Sequence, residues 1–326
     1  MDLSSIDYWI DLHLHLDGSL SLDMVRKLSK MQNIPVPEDD EDLKKLLVCP
    51  LNCEDLNQYL QCFDFPLQLL QTKEALTESV RMLIKELKAE NTIYSEIRFA
   101  PQLHCTKGLS QAEVVEAAIA GLEENVNLIL CCMRGADNGE QNIETIRLAK
   151  QYLGKGVVAV DLAGAEGLYP TWNYKELFAF AKELQVPYTI HAGEAAGADS
   201  VRCAIEYKAA RIGHGVRSYE DSEVMDMLKK EGIMLELCPT SNLDTKVFNT
   251  FEDYPIGVYI DAGIPICINT DNRTVSHTTI RKEYEKIADT FNLTKEDVNN
   301  MLITACKHSF ADEICKAEIL KKTGAL

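Results

Sequence analysis

No run of 18 uncharged apolar residues occurs anywhere in the 326 positions, so no segment reads as a membrane-crossing helix. Basic residues are scarce: 33 Lys and Arg face 51 Asp and Glu, a formal net charge of -18 at pH 7. A protein that binds the phosphate backbone of a nucleic acid carries a basic face, so that class is set aside. The same balance repels anionic substrates at long range and favours a neutral one. Met1–Ser5 lacks the basic region of a secretory signal, and the apolar run that should follow is missing. The 11 cysteines, an odd number, therefore read as free thiols of a reducing cytoplasm. Cys49-Pro50-Leu51-Asn52-Cys53 has no second pair answering it at zinc-finger spacing, which leaves two ordinary loop thiols. Internal repeats, low-complexity tracts and linkers are also lacking, so a single domain over residues 1–326 is expected.

What is present is a globular composition, 46% hydrophobic and 26% charged. Eight short β-branched-rich runs follow one another: Tyr8–His15, Thr92–Phe99, Val126–Arg134, Val157–Ala163, Tyr188–His191, Arg211–His214, Ile233–Cys238 and Ile264–Thr270. Most are nearly continuous in hydrophobicity, as parallel strands covered on both faces are. Amphipathic segments separate them, and Ser110–Glu113 and Ser218–Asp221 carry the serine-to-acid spacing of an N-terminal cap. The expected fold is α/β, a (β/α)₈ TIM barrel, with a doubly wound open sheet as the competitor. From Ser19 to about Asn91 the chain carries several helical segments instead of one, including Glu54–Phe65 and Glu74–Glu90. These extra helices after the first strand are placed as a lid over the barrel mouth, or as a structural decoration.

Chemistry concentrates at the expected strand ends. Residues i and i+2 of a strand point to the same side, so His13 and His15 aim both imidazoles into one space. His191-Ala192-Gly193-Glu194 ends the fifth strand, Gly213-His214-Gly215 the sixth and Asn269-Thr270-Asp271-Asn272 the eighth. A barrel builds its active site from these ends. His13, His15, His191 and Asp271 would supply three nitrogens and an oxygen to one zinc ion, with water in the open position. Zinc lowers the pKa of that water from about 15.7 toward 7. Glu194 lies three residues after a proposed ligand, and a glutamate in a closed cleft tends to keep its proton and can donate it. His214 is placed to orient the hydroxide or to stabilise developing charge.

Six stretches together resemble the adenosine deaminase family of metal-dependent hydrolases, in the family's order from about residue 8 to 310: His13–Ser19, Asp161–Glu166, His191–Glu194, Arg211–Gly215, Leu237–Asn242 and Asn269–Asp271. The resemblance implies hydrolytic deamination of adenosine and 2′-deoxyadenosine to the inosine nucleosides with release of ammonia, a step of purine salvage. It matches His13, His15, His191 and Asp271 to the zinc ligands, Glu194 to the acid that protonates ring N1, and His214 to the histidine beside the attacking hydroxide. His15, Asp17, Gly164 and Asn272 fall to the substrate: Gly164 through its backbone N–H to purine N3, Asp17 as acceptor from the ribose 5′-hydroxyl. The expected partner is a small purine nucleoside, with oligomeric state left open.

The chain departs from the family at one point, with Asn272 where many members carry a second aspartate. That aspartate donates to purine N7 only when protonated, whereas an amide N–H donates at any pH. Asn272 is therefore read as a working substitute. Rival readings are weaker. Deaminases acting on bases in nucleic acids use H-x-E and P-C-x-x-C elements, and this chain has neither. No lysine ends the fourth strand to bridge two metals, so one metal is expected. Other 6-aminopurines (adenine, aminodeoxyfutalosine, methylthioadenosine) and a catalytically silent nucleoside-binding protein remain as alternatives.

Overall fold

The computed structural model describes Leu3 and residues 6–325. Eight parallel strands run in chain order: β1 (Trp9–His15), β2 (Thr92–Phe99), β3 (Val126–Met133), β4 (Val157–Ala163), β5 (Thr189–Ala192), β6 (Arg211–His214), β7 (Met234–Leu237) and β8 (Ile266–Ile268). Each lies within two residues of its expected bounds. They pair in the order β1-β2-β3-β4 and β5-β6-β7-β8. Two bridges join these halves, Val160 with Tyr188 and Leu14 with Asp271. The sheet thus closes into a (β/α)₈ barrel, and the open doubly wound alternative is excluded. At the second seam Asp271 N donates to His13 O and His15 N donates to Asp271 O, each at 2.7 Å. Barrel closure itself sets two histidines and an aspartate side by side.

The barrel floor is polar. Arg98 reaches Asp161 at 2.8 Å and Glu236 at 2.9 Å, while Arg211 reaches Glu236 and Glu96 at 2.6 Å each, and all five side chains are fully buried. Buried ions persist only when paired. This ladder alternates sign, so every charge has a partner.

The Ser110–Glu113 capping box forms as expected at the start of helix Gln111–Ile119. The second expected cap is corrected. Asp221 caps helix Ser222–Glu231, accepting from Glu223 N and Val224 N. Ser218 instead donates to Gly215 O at 2.6 Å, tightening the turn after His214. The carboxylate wins because it stands immediately before the helix and reaches two orphan N–H groups at once.

The excursion after β1 divides by role. Helices Leu22–Gln32 and Lys73–Ala89 pack on each other, and the second packs on β2, as ordinary barrel cover. The expected Glu54–Phe65 helix is three short pieces, Leu56–Leu60, a tighter 3₁₀ turn Gln61–Phe63, and Asp64–Leu69. Asp55 caps the first through Gln58 N. Pro66 stands in the first turn of the third, where its missing N–H costs nothing. These pieces overlie the mouth, with Leu56, Leu60, Phe63 and Leu67 facing the cleft. Cys49 and Cys53 sit just before them, unbridged, as expected of ordinary thiols. Among the described residues no helix is long and apolar enough to cross a membrane.

Candidate active site

Asp271 Oδ1 lies 3.4 Å from His13 Nε2 and 3.3 Å from His15 Nε2, and His15 Nε2 lies 3.3 Å from His191 Nε2. These four residues can all present one ligand atom within 4.8 Å of one another. Atoms bound to one zinc at about 2.0–2.2 Å lie roughly 3–4 Å apart, so these spacings fit that ion with room for a water beside the four donors. His13 Nε2 is buried without a hydrogen-bond partner, an orphan that a cation would satisfy. Burial, with Arg98 nearby, lowers the His13 pKa to about 4, and burial holds His15 well below its ordinary value. Both are thus in the neutral form that ligates metal. Burial also opposes charge on Asp271, but His13 and its neighbours outweigh it and keep the carboxylate ionised.

The rings of His13 and His191 are backed by carboxylates. His13 Nδ1 lies 2.9 Å from Glu236 Oε2, and His191 Nδ1 lies 2.7 Å from Asp161 Oδ2. Arg98 joins both carboxylates. A carboxylate on the far nitrogen sets tautomer and orientation, leaving Nε2 free to bind. Ser241 Oγ performs the same service for Asp271, donating to Oδ2 at 2.6 Å.

Glu194 is held by its backbone. The Glu166 carboxylate accepts from the N–H groups of Gly193, Glu194, Ala195 and Ala196 at 2.7–3.0 Å and from Ser200 Oγ at 2.6 Å. The turn after β5 is thereby pinned, and Glu194 enters the cleft 3.6 Å from His214 Nε2. Burial raises the Glu194 pKa, which favours its proton-carrying form. Asn242 settles the state of His214. Its Oδ1 accepts from Tyr254 at 3.0 Å, so its Nδ2 faces His214 Nδ1 at 3.0 Å as donor. The His214 proton then sits on Nε2, directed toward Glu194 and Asp271.

Of the nine expected residues, His15, Asp17, Gly164, His191, Glu194, His214, Asp271 and Asn272 all line one cleft. His13 lies beneath it, fully buried. Gly164 has φ of 107°, which a side chain would strain. Asp17 is nearly buried, and that burial lifts its pKa to about 6. The lining contains no lysine or arginine, and apart from Asp64 and Tyr59 of the lid its remaining surface is apolar: Leu103, Cys131, Met133, Leu56, Leu60, Phe63 and Leu67 among others. Asp161, Glu166, Ser241 and Asn242 stand in the matched stretches without an assigned role, and Arg98 and Glu236 were not singled out; all six support the site. The signal for Arg98, Asp161 and Glu236 was a charge inside an otherwise apolar, doubly covered strand, which demands a partner.

The adenosine deaminase family profile matches residues 9–325. The chain belongs to the adenosine deaminase family. An adenosine deaminase of Haemophilus ducreyi is 46% identical over 95% of this chain and 94% of its own length. Another, from Enterococcus faecalis, is 40% identical over 92% and 91%. An adenine deaminase structure from Arthrobacter aurescens superposes with a TM-score of 0.88 at 23% identity, covering 97% of this chain and 98% of that one, a likeness of fold. The family membership rests on the profile and the curated relatives.

Proposed function

We infer that this chain catalyses the hydrolytic deamination of adenosine and 2′-deoxyadenosine, giving the inosine nucleosides and ammonia in purine salvage. The observation that carries this reading is the three-nitrogen, one-oxygen donor set at metal-binding spacing beside Glu194 and His214, in a cleft with no lysine or arginine in its lining. His13, His15, His191 and Asp271 would hold one zinc ion. When bound, the ion supplies the Lewis acidity that brings a water's pKa from about 15.7 toward 7.

The chain's own residues do the rest. Glu194 carries a proton to ring N1, withdrawing electron density from C6. His214 presents Nε2–H to the oxygen that adds at C6, and Asp271 Oδ2 faces the same point. The Gly164 N–H meets purine N3, and Asp17 accepts from the ribose 5′-hydroxyl. Asn272 Oδ1 is packed against Gly18 without a partner, leaving the amide N–H₂ as donor to N7. Residues 1–326 act as one domain, and the unbridged cysteines suit a reducing cytoplasm. Turnover of adenosine, deoxyadenosine and adenine by the parent, Asp17→Ala and Asn272→Ala tests these contacts. Asp17→Ala should lose adenosine turnover far more than any action on adenine. Equal losses would remove the 5′-hydroxyl role. Asn272→Ala with kcat and KM both within about twofold of the parent would remove the N7 role.

A further inference from the structure

The lid is fastened to the barrel by a small apolar cluster separate from the main core: Cys53, Tyr59 and Val275, with Cys49, Leu56, Cys62 and Phe63 around them. So few buried groups make opening cheap, which a lid over a small-molecule cleft requires. Packing alone would be served by a phenyl ring at position 59. Instead Tyr59, 1% exposed, carries a buried hydroxyl. That hydroxyl lies 2.8 Å from Ser276 Oγ. Ser276 leads to the site, because its N–H donates to the carbonyl of Asn272 at 2.8 Å. One phenol on the lid therefore touches the support of a residue that faces the substrate.

We propose that Tyr59 is a positioning residue for nucleoside binding, its hydroxyl latching the lid helix Leu56–Leu60 onto Ser276 so that the closed lid is in register with Asn272. The inference rests on the cleft being the nucleoside site. Closure brings Leu60 and Phe63 over the bound nucleoside, and the hydroxyl makes the closed position specific. Loss of the hydroxyl leaves the ring packing intact and shifts the lid toward open. Substrate affinity then falls by the fraction of closed lid that is lost, while the reacting groups stay in place.

The test uses metal-loaded enzyme and the variants Tyr59→Phe, Ser276→Ala and their combination. Steady-state constants for adenosine are read together with amide hydrogen exchange of Leu56–Leu69 in the absence of substrate. One buried hydrogen bond shifts the open–closed equilibrium of the lid by about five- to tenfold. The rise in KM multiplied by the acceleration of lid exchange should equal that factor in each single variant, with kcat within about twofold. The strands should keep their protection, and the double variant should add nothing further. KM and lid exchange both unchanged in the single variants would overturn the latch. So would effects that multiply in the double variant, or faster exchange spread over the whole barrel. The exchange readout needs no turnover, so a parent inactive on adenosine would defeat the functional reading while leaving the lid result to be judged alone.

Discussion

Replacing Glu236 by glutamine separates two jobs that one carboxylate performs. Its oxygens accept from His13 Nδ1 at 2.9 Å, Arg98 Nη2 at 2.9 Å, Arg211 Nε at 2.6 Å and Thr189 Oγ1 at 3.0 Å. Glutamine keeps the shape, but its N–H₂ must replace one oxygen. At the first oxygen it opposes Arg211 and Thr189; at the second, His13 and Arg98. Either way two buried donors face a third, and both guanidinium groups lose a counter-charge. Breaking a buried ion pair by removing one partner costs about 3–5 kcal/mol. The unfolding entropy of 326 residues is about 0.7 kcal/mol/K, so Tm should fall by about 4–7 °C. His13 also loses the group that orients its ring, which predicts metal binding weaker by about 10–100-fold. Calorimetry of metal-free protein reads the first effect, and zinc competition against a chromophoric chelator reads the second. A variant that melts several degrees lower yet holds zinc within threefold of the parent would refute the orienting role and leave Glu236 a purely structural charge.

Two further consequences can be checked independently. A methyl group at position 18 would sit 2.0 Å from Asn272 Oδ1, so Gly18→Ala must rotate that amide; kcat/KM for adenosine should fall at least tenfold, about 1.4 kcal/mol, with zinc content unchanged. Burial raises the Asp244 pKa to about 6 from 3.8, and the folded protein therefore holds this proton more tightly than the unfolded chain. Its contribution is most favourable below pH 3.8 and is lost as pH rises through about 6. Asp244→Asn should raise stability by about 1–3 kcal/mol at pH 8 and roughly half that at pH 5. Equal gains at both pH values in thermal melts would contradict this.

The strands were legible because a parallel barrel strand is covered on both faces, and a run such as Val157–Ala163 has little else to be. The candidate ligands were legible because they stand where those runs end. Short-range competition was harder to read. Ser218 and Asp221 both suit a helix start, and their ranking depends on which N–H groups each side chain reaches in three dimensions. The lid pieces Leu56–Leu69 share one apolar pattern, but Asp55, the tighter turn at Gln61–Phe63 and Pro66 divide it. Least visible were the roles of Tyr59, Ser241, Asn242 and Glu166. Their work depends on partners from distant strands, such as the four backbone N–H groups that converge on Glu166, and neither period nor propensity encodes a convergence of that kind.

The central claim is that Glu194 supplies a proton to an adenosine ring held beside a His₃Asp metal centre. Ammonia release from adenosine by zinc-loaded parent and by Glu194→Gln, with zinc content measured on both, tests it most directly. The account predicts rapid release by the parent and a loss of about 10²–10⁴-fold in kcat in the variant at full zinc occupancy. A variant that retains its metal and turns adenosine over at close to the parental rate would contradict it.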